Sequence, residues 1–104
     1  MTDPLLTPFT LGKVHLRNRL MSTAHAPGYI EDRMPKQRYR LYHQAKAKGG
    51  LGLTMFGGSC TVSPDSPAAF AQIDLSHDRV IPWIKDLAHS VHDEGAAIMC
   101  QITH

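Results

Sequence analysis

Three short apolar runs, separated by two segments of helical periodicity, leave few folds open to this chain. The central run, "LGLTMFGG" at 51–58, is continuous and of strand length, as for a strand covered on both faces. Before it comes "KQRYRLYHQAKAKGG", where Pro35 suits the first turn of a helix. Tyr39 with Tyr42 and Leu41 with Ala45 give that helix an apolar stripe. Basic residues fill its last half, where the helix dipole favours them, and Gly49-Gly50 ends it. A second helix is expected over 79–94, with Val80, Ile81, Ile84, Leu87, Ala88 and Val91 on one face. Pro82 sits in its first turn, where a missing N–H does little harm, and Gly95 is the stop.

Residues 19–24 read as a strand ended by Pro27-Gly28, and "AAIMCQIT" at 96–103 reads as another. Ahead of them, Phe9 and Leu11 can pair with Val14 and Leu16 across a Gly12-Lys13 turn, as a small hairpin plugging one end. The order strand, helix, strand, helix, strand signals a parallel sheet with right-handed crossovers. The loop 25–35 carries neither GxGxxG nor a P-loop, so a Rossmann phosphate grip is not expected. The expected fold class is α/β, about three β/α units of a (β/α)8 barrel with an N-terminal β-hairpin. Residues 1–104 are then one partial barrel domain.

In a barrel, the C-terminal strand ends share one mouth. Here those ends are "STAHA", "GGSC" and "QITH". Ala24, Ala26, Gly57, Gly58 and Ser59 are small enough to leave room for a flat ligand, although Gly57-Gly58 equally suits a plain strand end. The Gln101 amide offers both donors and acceptors, suited to a ring edge or to neighbouring backbone. His25 and His104 read as site residues or as ordinary loop histidines. The loop 59–78 is long enough to suggest a functional role. His89 and His92 stand i, i+3 on one helix, but no third ligand joins them at a recognised spacing, so no metal site is expected. G-x-S-x-G is absent, which leaves a hydrolase little support.

Charge excludes some partners. The net charge is only +2 and the basic residues are scattered, which argues against nucleic acid. No apolar run approaches the ~20 residues of a membrane span, and the N-terminus lacks the pattern of a secretory signal. A cytoplasmic location with reduced thiols is expected, Cys60 and Cys100 being small half-buried side chains; a disulfide between them has no support in the sequence.

Several stretches together carry a resemblance. "LLTPFTLGKVHLRNRLMSTAH" resembles the opening of the Old Yellow Enzyme-like NADH:flavin oxidoreductases, with P-x-x-[IL]-G and then L-[KR]-N-R-[IL]. "RYRLYHQAKAKGGLGLTMFGGSCTVSPDSP" matches the helix, the A-[KR]-G-G turn and the second strand of that family. "VHDEGAAIMCQITH" is similar to its H-x-x-G-x-x-x-x-x-Q-[IL]-x-H strand. Within the family, "STAHAPGYIEDRMP" and "MFGGSCTVSPDSP" look most like the subgroup of N-methylproline demethylase, dienoyl-CoA reductase and trimethylamine dehydrogenase.

The resemblance implies an FMN-dependent oxidoreductase acting on a small-molecule substrate. It would oxidise an N-methylated amine or amino acid, or reduce an activated alkene with NAD(P)H. Thr23, Ala24, His25 and Ala26 would lie against the flavin, largely through backbone. Gly58 or Ser59 would touch its pyrimidine side, Gln101 would hydrogen-bond it, and Thr103 and His104 would line the mouth. Where some members carry a flavin-linking cysteine this chain has Ala26, so the FMN would be non-covalent. No catalytic acid is assigned. The barrel remainder, with a 4Fe-4S cluster and FAD in the larger subgroup, would lie outside this chain. Three strands cannot close a barrel. The isolated chain is therefore expected to be inactive, and to pair with a second copy or with the remainder of the barrel. The alternative is a non-catalytic barrel piece that only docks or oligomerises.

Overall fold

A computed structural model of the chain describes residues 3–104. A 3-10 turn at Pro4–Leu6 leads into β1 (Phe9–Leu11) and β2 (Val14–Leu16). They form an antiparallel hairpin in which Phe9 faces Leu16 and Leu11 faces Val14, the pairing the apolar alternation predicts. Then follow β3 (Met21–Ser22), α1 (Gln37–Lys48), β4 (Leu53–Thr61), α2 (Ile81–Asp93) and β5 (Ala97–Thr103). The last three strands make one parallel sheet in the order β3-β4-β5. The hairpin sits at the strand starts, where Phe9, Leu11 and Leu16 meet Met21 and Leu53 around an apolar cleft.

The first strand is shorter than the 19–24 expected. Only Met21 and Ser22 pair with β4, opposite Leu53 and Thr54. Before them the chain is committed elsewhere. Arg17 Nε and Nη2 donate to the Leu51 carbonyl at 3.1 and 2.9 Å. Its Nη2 also reaches the Ala47 carbonyl at 2.5 Å, and Nη1 the Glu94 carbonyl at 2.6 Å. One guanidinium thereby satisfies carbonyls at the C-terminal ends of both helices, which helices otherwise leave unpaired. The buried Asn18 amide donates to the Gly50 carbonyl at 2.6 Å while its Oδ1 accepts the Leu20 N–H. The "LRNR" stretch is thus the clasp that fixes both helices against the start of the sheet.

β4 is longer than the apolar run suggested. It does not stop at Gly57-Gly58 but passes through them to Thr61. Phe56 pairs with Cys100 and Cys60 with Ile102, so four residues of advance on β4 match two on β5. Gly57, Gly58 and Ser59 absorb the excess as a bulge.

α1 buries Tyr39, His43 and Ala47, an i, i+4, i+8 stripe against β4. The expected pairing of Leu41 with Ala45 is on the wrong face: both are exposed, Leu41 at 48%. Tyr42 is half-buried. α2 follows a 3-10 turn at Asp78–Val80 and packs Leu87 and Val91 inward, with Ile84 and Ala88 half-buried; Ile81 lies outside at 57% exposure. The core is one cluster in which Tyr39, Phe56, Ile73, Leu87 and Val91 meet between the helices and the sheet. Among the described residues no helix is long and apolar enough to cross a membrane.

Candidate active site

The C-terminal ends of β3, β4 and β5 converge, as the barrel reading requires. The closeness can be read from two glycines. A Cβ at Gly58 would lie 2.4 Å from the His25 carbonyl carbon and 2.6 Å from the Ala26 nitrogen. One at Gly57 would lie 2.8 Å from the Gln101 carbonyl oxygen. Both glycines also have positive φ, +126° and +87°, a region costly for side chains with a Cβ. Their smallness therefore serves the approach of the neighbouring strands. A Cβ on either glycine would run into neighbouring backbone.

What is open lies on the next segment. Ala24, His25 and Ala26 belong to no strand, and their backbone N–H and C=O groups form no backbone hydrogen bond among the described residues. His25 and Ala26 are exposed and Ala24 is half-buried. Unpaired backbone groups are costly unless water or a ligand meets them. Gln101, at the end of β5, is exposed as well. A run of free main-chain donors and acceptors beside a free amide suits a planar heterocycle with polar edges.

Polar contacts fix the surroundings. His25 Nδ1 lies 3.0 Å from the Thr23 carbonyl, and its Nε2 is hydrogen-bonded to the Tyr42 hydroxyl. Ser59 is engaged by the loop that follows β4: Gln72 Nε2 donates to its carbonyl at 3.2 Å and meets its Oγ at 3.0 Å. That loop is packed rather than free, with Ile73 fully buried and Asp74 bridged to Thr61. Arg33 anchors it through Thr61 Oγ1 (2.8 Å) and the Gln72 carbonyl (3.1 Å). Thr103 pairs with Thr61, and His104 Nδ1 lies 2.8 Å from Ser66 Oγ. The Thr103 carbonyl accepts the Val62 N–H at 3.2 Å, so Thr103 and His104 are both tied to the segment that follows β4.

Beneath the site, the Tyr39 hydroxyl accepts the Gly57 N–H at 2.9 Å, and burial raises its pKa, which keeps it protonated. Next to it His43 is buried, with Nδ1 2.8 Å from Thr54 Oγ1 and Nε2 without a partner among the described residues. Burial first, then the charge of Lys46, push its pKa down to about 4, so it is neutral near pH 7. Tyr39, Tyr42, His43 and Gln72 escaped the sequence reading as site residues. Only Tyr39 and Tyr42 gave a signal, as members of a helical stripe. Cys60 and Cys100 are free thiols. Among the described residues no three His, Cys, Asp or Glu side chains gather to hold a metal.

Comparison with known proteins points the same way. A model of the "NADH:flavin oxidoreductase / NADH oxidase family" matches residues 4–104. The multifunctional alkene reductase/demethylase OYE of Caballeronia cordobensis is 55% identical over 103 residues, 99% of this chain and 15% of that protein. The probable N-methylproline demethylase of Rhizobium meliloti (strain 1021) is 50% identical over 102 residues, 98% of this chain and 15% of that protein. This chain therefore spans about 15% of the length of the curated relatives it matches. Among solved structures, morphinone reductase in complex with tetrahydroNAD superposes with a TM-score of 0.85 at 22% identity, over 99% of this chain and 28% of that one. At that identity the likeness establishes the fold: the described residues build the N-terminal part of a (β/α)8 barrel, its hairpin included.

Proposed function

The chain belongs to the NADH:flavin oxidoreductase / NADH oxidase family, and from that premise we propose that residues 1–104 are one partial barrel domain whose strand ends hold FMN for a redox reaction on a small molecule. The observation that carries the reading is the free backbone of 24–26 lying against Gly58, with Gln101 against Gly57. Thr23 to Ala26 would meet the ring through main-chain groups. Gln101 would pair with its polar edge by donating and accepting through one amide. Gly58 and Ser59 would border it, and Thr103 and His104 would support the rim from the loop side. Ala26 offers no nucleophile, so the cofactor is held without a covalent bond. When bound, the flavin supplies hydride acceptance and donation, and the protein positions it and tunes its electronics. We place any 4Fe-4S cluster and FAD outside residues 3–104.

For substrate we favour an N-methylated amine or amino acid, because both relatives described above carry demethylase in their names. Loss of hydride from the N-methyl group gives an iminium, and water then releases formaldehyde and the demethylated amine. Reduction of an activated alkene by NAD(P)H is the second reading, favoured by the alkene reductase in the first relative's name. The apolar edges of the isolated segment, with Met21 and Ile102 exposed, suit the remainder of a barrel wall more than a free-standing module.

The test is FMN content and titration of the protein as expressed from its own gene, with Gln101→Leu beside it. One acid-releasable FMN per chain is expected, bound about tenfold more weakly by the variant. A colourless protein that binds no added FMN would overturn the reading. Formaldehyde release from an N-methyl amino acid, against NAD(P)H consumption with an enone, then separates the two substrate classes.

A further inference from the structure

His25 is an exposed imidazole on the segment proposed to meet the flavin, and an acid or base role suggests itself. Its hydrogen bonds argue otherwise. The Thr23 carbonyl can only accept, so Nδ1 carries the proton in that contact. In the neutral ring Nε2 is then an acceptor, and the Tyr42 hydroxyl must be its donor. Both ring nitrogens are spent on the protein. Neither a proton nor a lone pair is left for a ligand.

We infer that His25 is a brace rather than an acid or base, and that Tyr42 is the positioning residue that holds it, thereby setting the backbone of 24–26 that faces the cofactor. The inference rests on the flavin reading above. Three placements support it. Tyr42 lies on α1, and the ring it presents is itself packed edge-on to Tyr29 and His43, with centroids 5.4 and 5.3 Å away. Lys46 Nζ lies 4.5 Å from the same ring's centroid and donates to Ser22 Oγ at 2.7 Å, tying α1 to β3 just before the braced segment. Gly58 backs the His25–Ala26 peptide from the other side. The segment is therefore clamped between β4 and a hydroxyl on α1, while its own amides stay free.

Tyr42→Phe keeps the ring packing and removes only the hydroxyl, so it isolates the proposed contact. In a double-mutant cycle on FMN affinity, Tyr42→Phe should weaken binding about tenfold with His25 present and less than twofold in a His25→Ala background. A purely structural tyrosine would give the same loss in both backgrounds, and that additivity would sink the inference. A second readout needs no flavin. In protein labelled with 15N-histidine, His25 should show Nδ1 protonated and Nε2 as a hydrogen-bonded acceptor, and Tyr42→Phe should move the His25 Nε2 resonance. An Nε2–H tautomer in the unaltered protein would refute the brace. Failure of the unaltered protein to bind FMN would refute the flavin reading instead, with the nitrogen shifts still deciding the brace.

Discussion

His43 Nδ1 lies 2.8 Å from Thr54 Oγ1 in the layer between α1 and β4, and the ring's other nitrogen has no partner among the described residues. The imidazole is held neutral by burial, with Lys46 adding to the effect. Its folded pKa, about 4, lies below the ordinary value of 6.5, so the unfolded chain binds the proton first. Stability is then full above pH 6.5 and falls as pH drops towards 4, where the loss levels off. The shift corresponds to about 3 kcal/mol at most. Urea midpoints measured from pH 7 to pH 4 should fall steadily, and His43→Phe should remove part of that slope. An unchanged slope in the variant would contradict a neutral buried His43.

Gly58 and Gly28 both have positive φ, yet they predict different outcomes. At Gly28 (+80°) a Cβ would meet open space, and Gly28→Ala should cost about 1 kcal/mol of backbone strain. At Gly58 (+87°) the Cβ would strike the His25–Ala26 backbone. Gly58→Ala should cost at least ~3 kcal/mol and displace the segment proposed to meet the flavin. Denaturant midpoints of the two variants decide it, and equal losses would mean that the strand contact is unimportant.

Arg17 binds three carbonyls with one planar group, on α1, on the approach to β4 and on the turn into β5. Lysine has one ammonium and cannot span them. Arg17→Lys should lower stability by about 2–3 kcal/mol, as charge-assisted hydrogen bonds are lost. A thermal shift within error of the unaltered protein would show that water replaces the clasp.

Topology was the legible part of the molecule. The hairpin register followed from Phe9, Leu11, Val14 and Leu16 alternating across Gly12, and the parallel order followed from the spacing of apolar runs. The convergence of strand ends at His25, Gly58 and Gln101 came with that topology. Two readings misled. Gly57-Gly58 read as a stop because glycine usually punctuates, whereas here it carries the strand through a bulge against two neighbours. α1 misled because aromatic and aliphatic residues lie on more than one of its faces, so the stripe through Tyr39, His43 and Ala47 could not be told from its rivals. The ties from Tyr42 to His25 and from Gln72 to Ser59 are made by side chains between residues 17 and 13 apart, and no periodicity encodes such contacts. Arg17 and Asn18 were visible as a motif, but their partners belong to carbonyls far along the chain.

Cys60 and Cys100 sit on neighbouring strands with their sulfurs 3.7 Å apart, and their reactivities should diverge. Cys60 is fully buried; its contact with the Cys100 thiol and that burial raise its pKa, so it stays protonated. Cys100 is half-buried, and its side-chain contact with Cys60 lowers its pKa. Because the thiolate is the nucleophile, iodoacetamide should label Cys100 first, at least ~10-fold faster than Cys60 under native conditions. Replacing the faster thiol should not expose the slower one: in Cys100→Ser, Cys60 loses its partner but keeps its burial. Conversely, Cys60→Ala removes that contact, so the pH at which Cys100 becomes reactive should move upward. Peptide mapping after timed alkylation gives both rates. Equal labelling of the two thiols would mean that this part of the sheet opens readily, and that the β4–β5 register at Phe56–Cys60 does not shield Cys60.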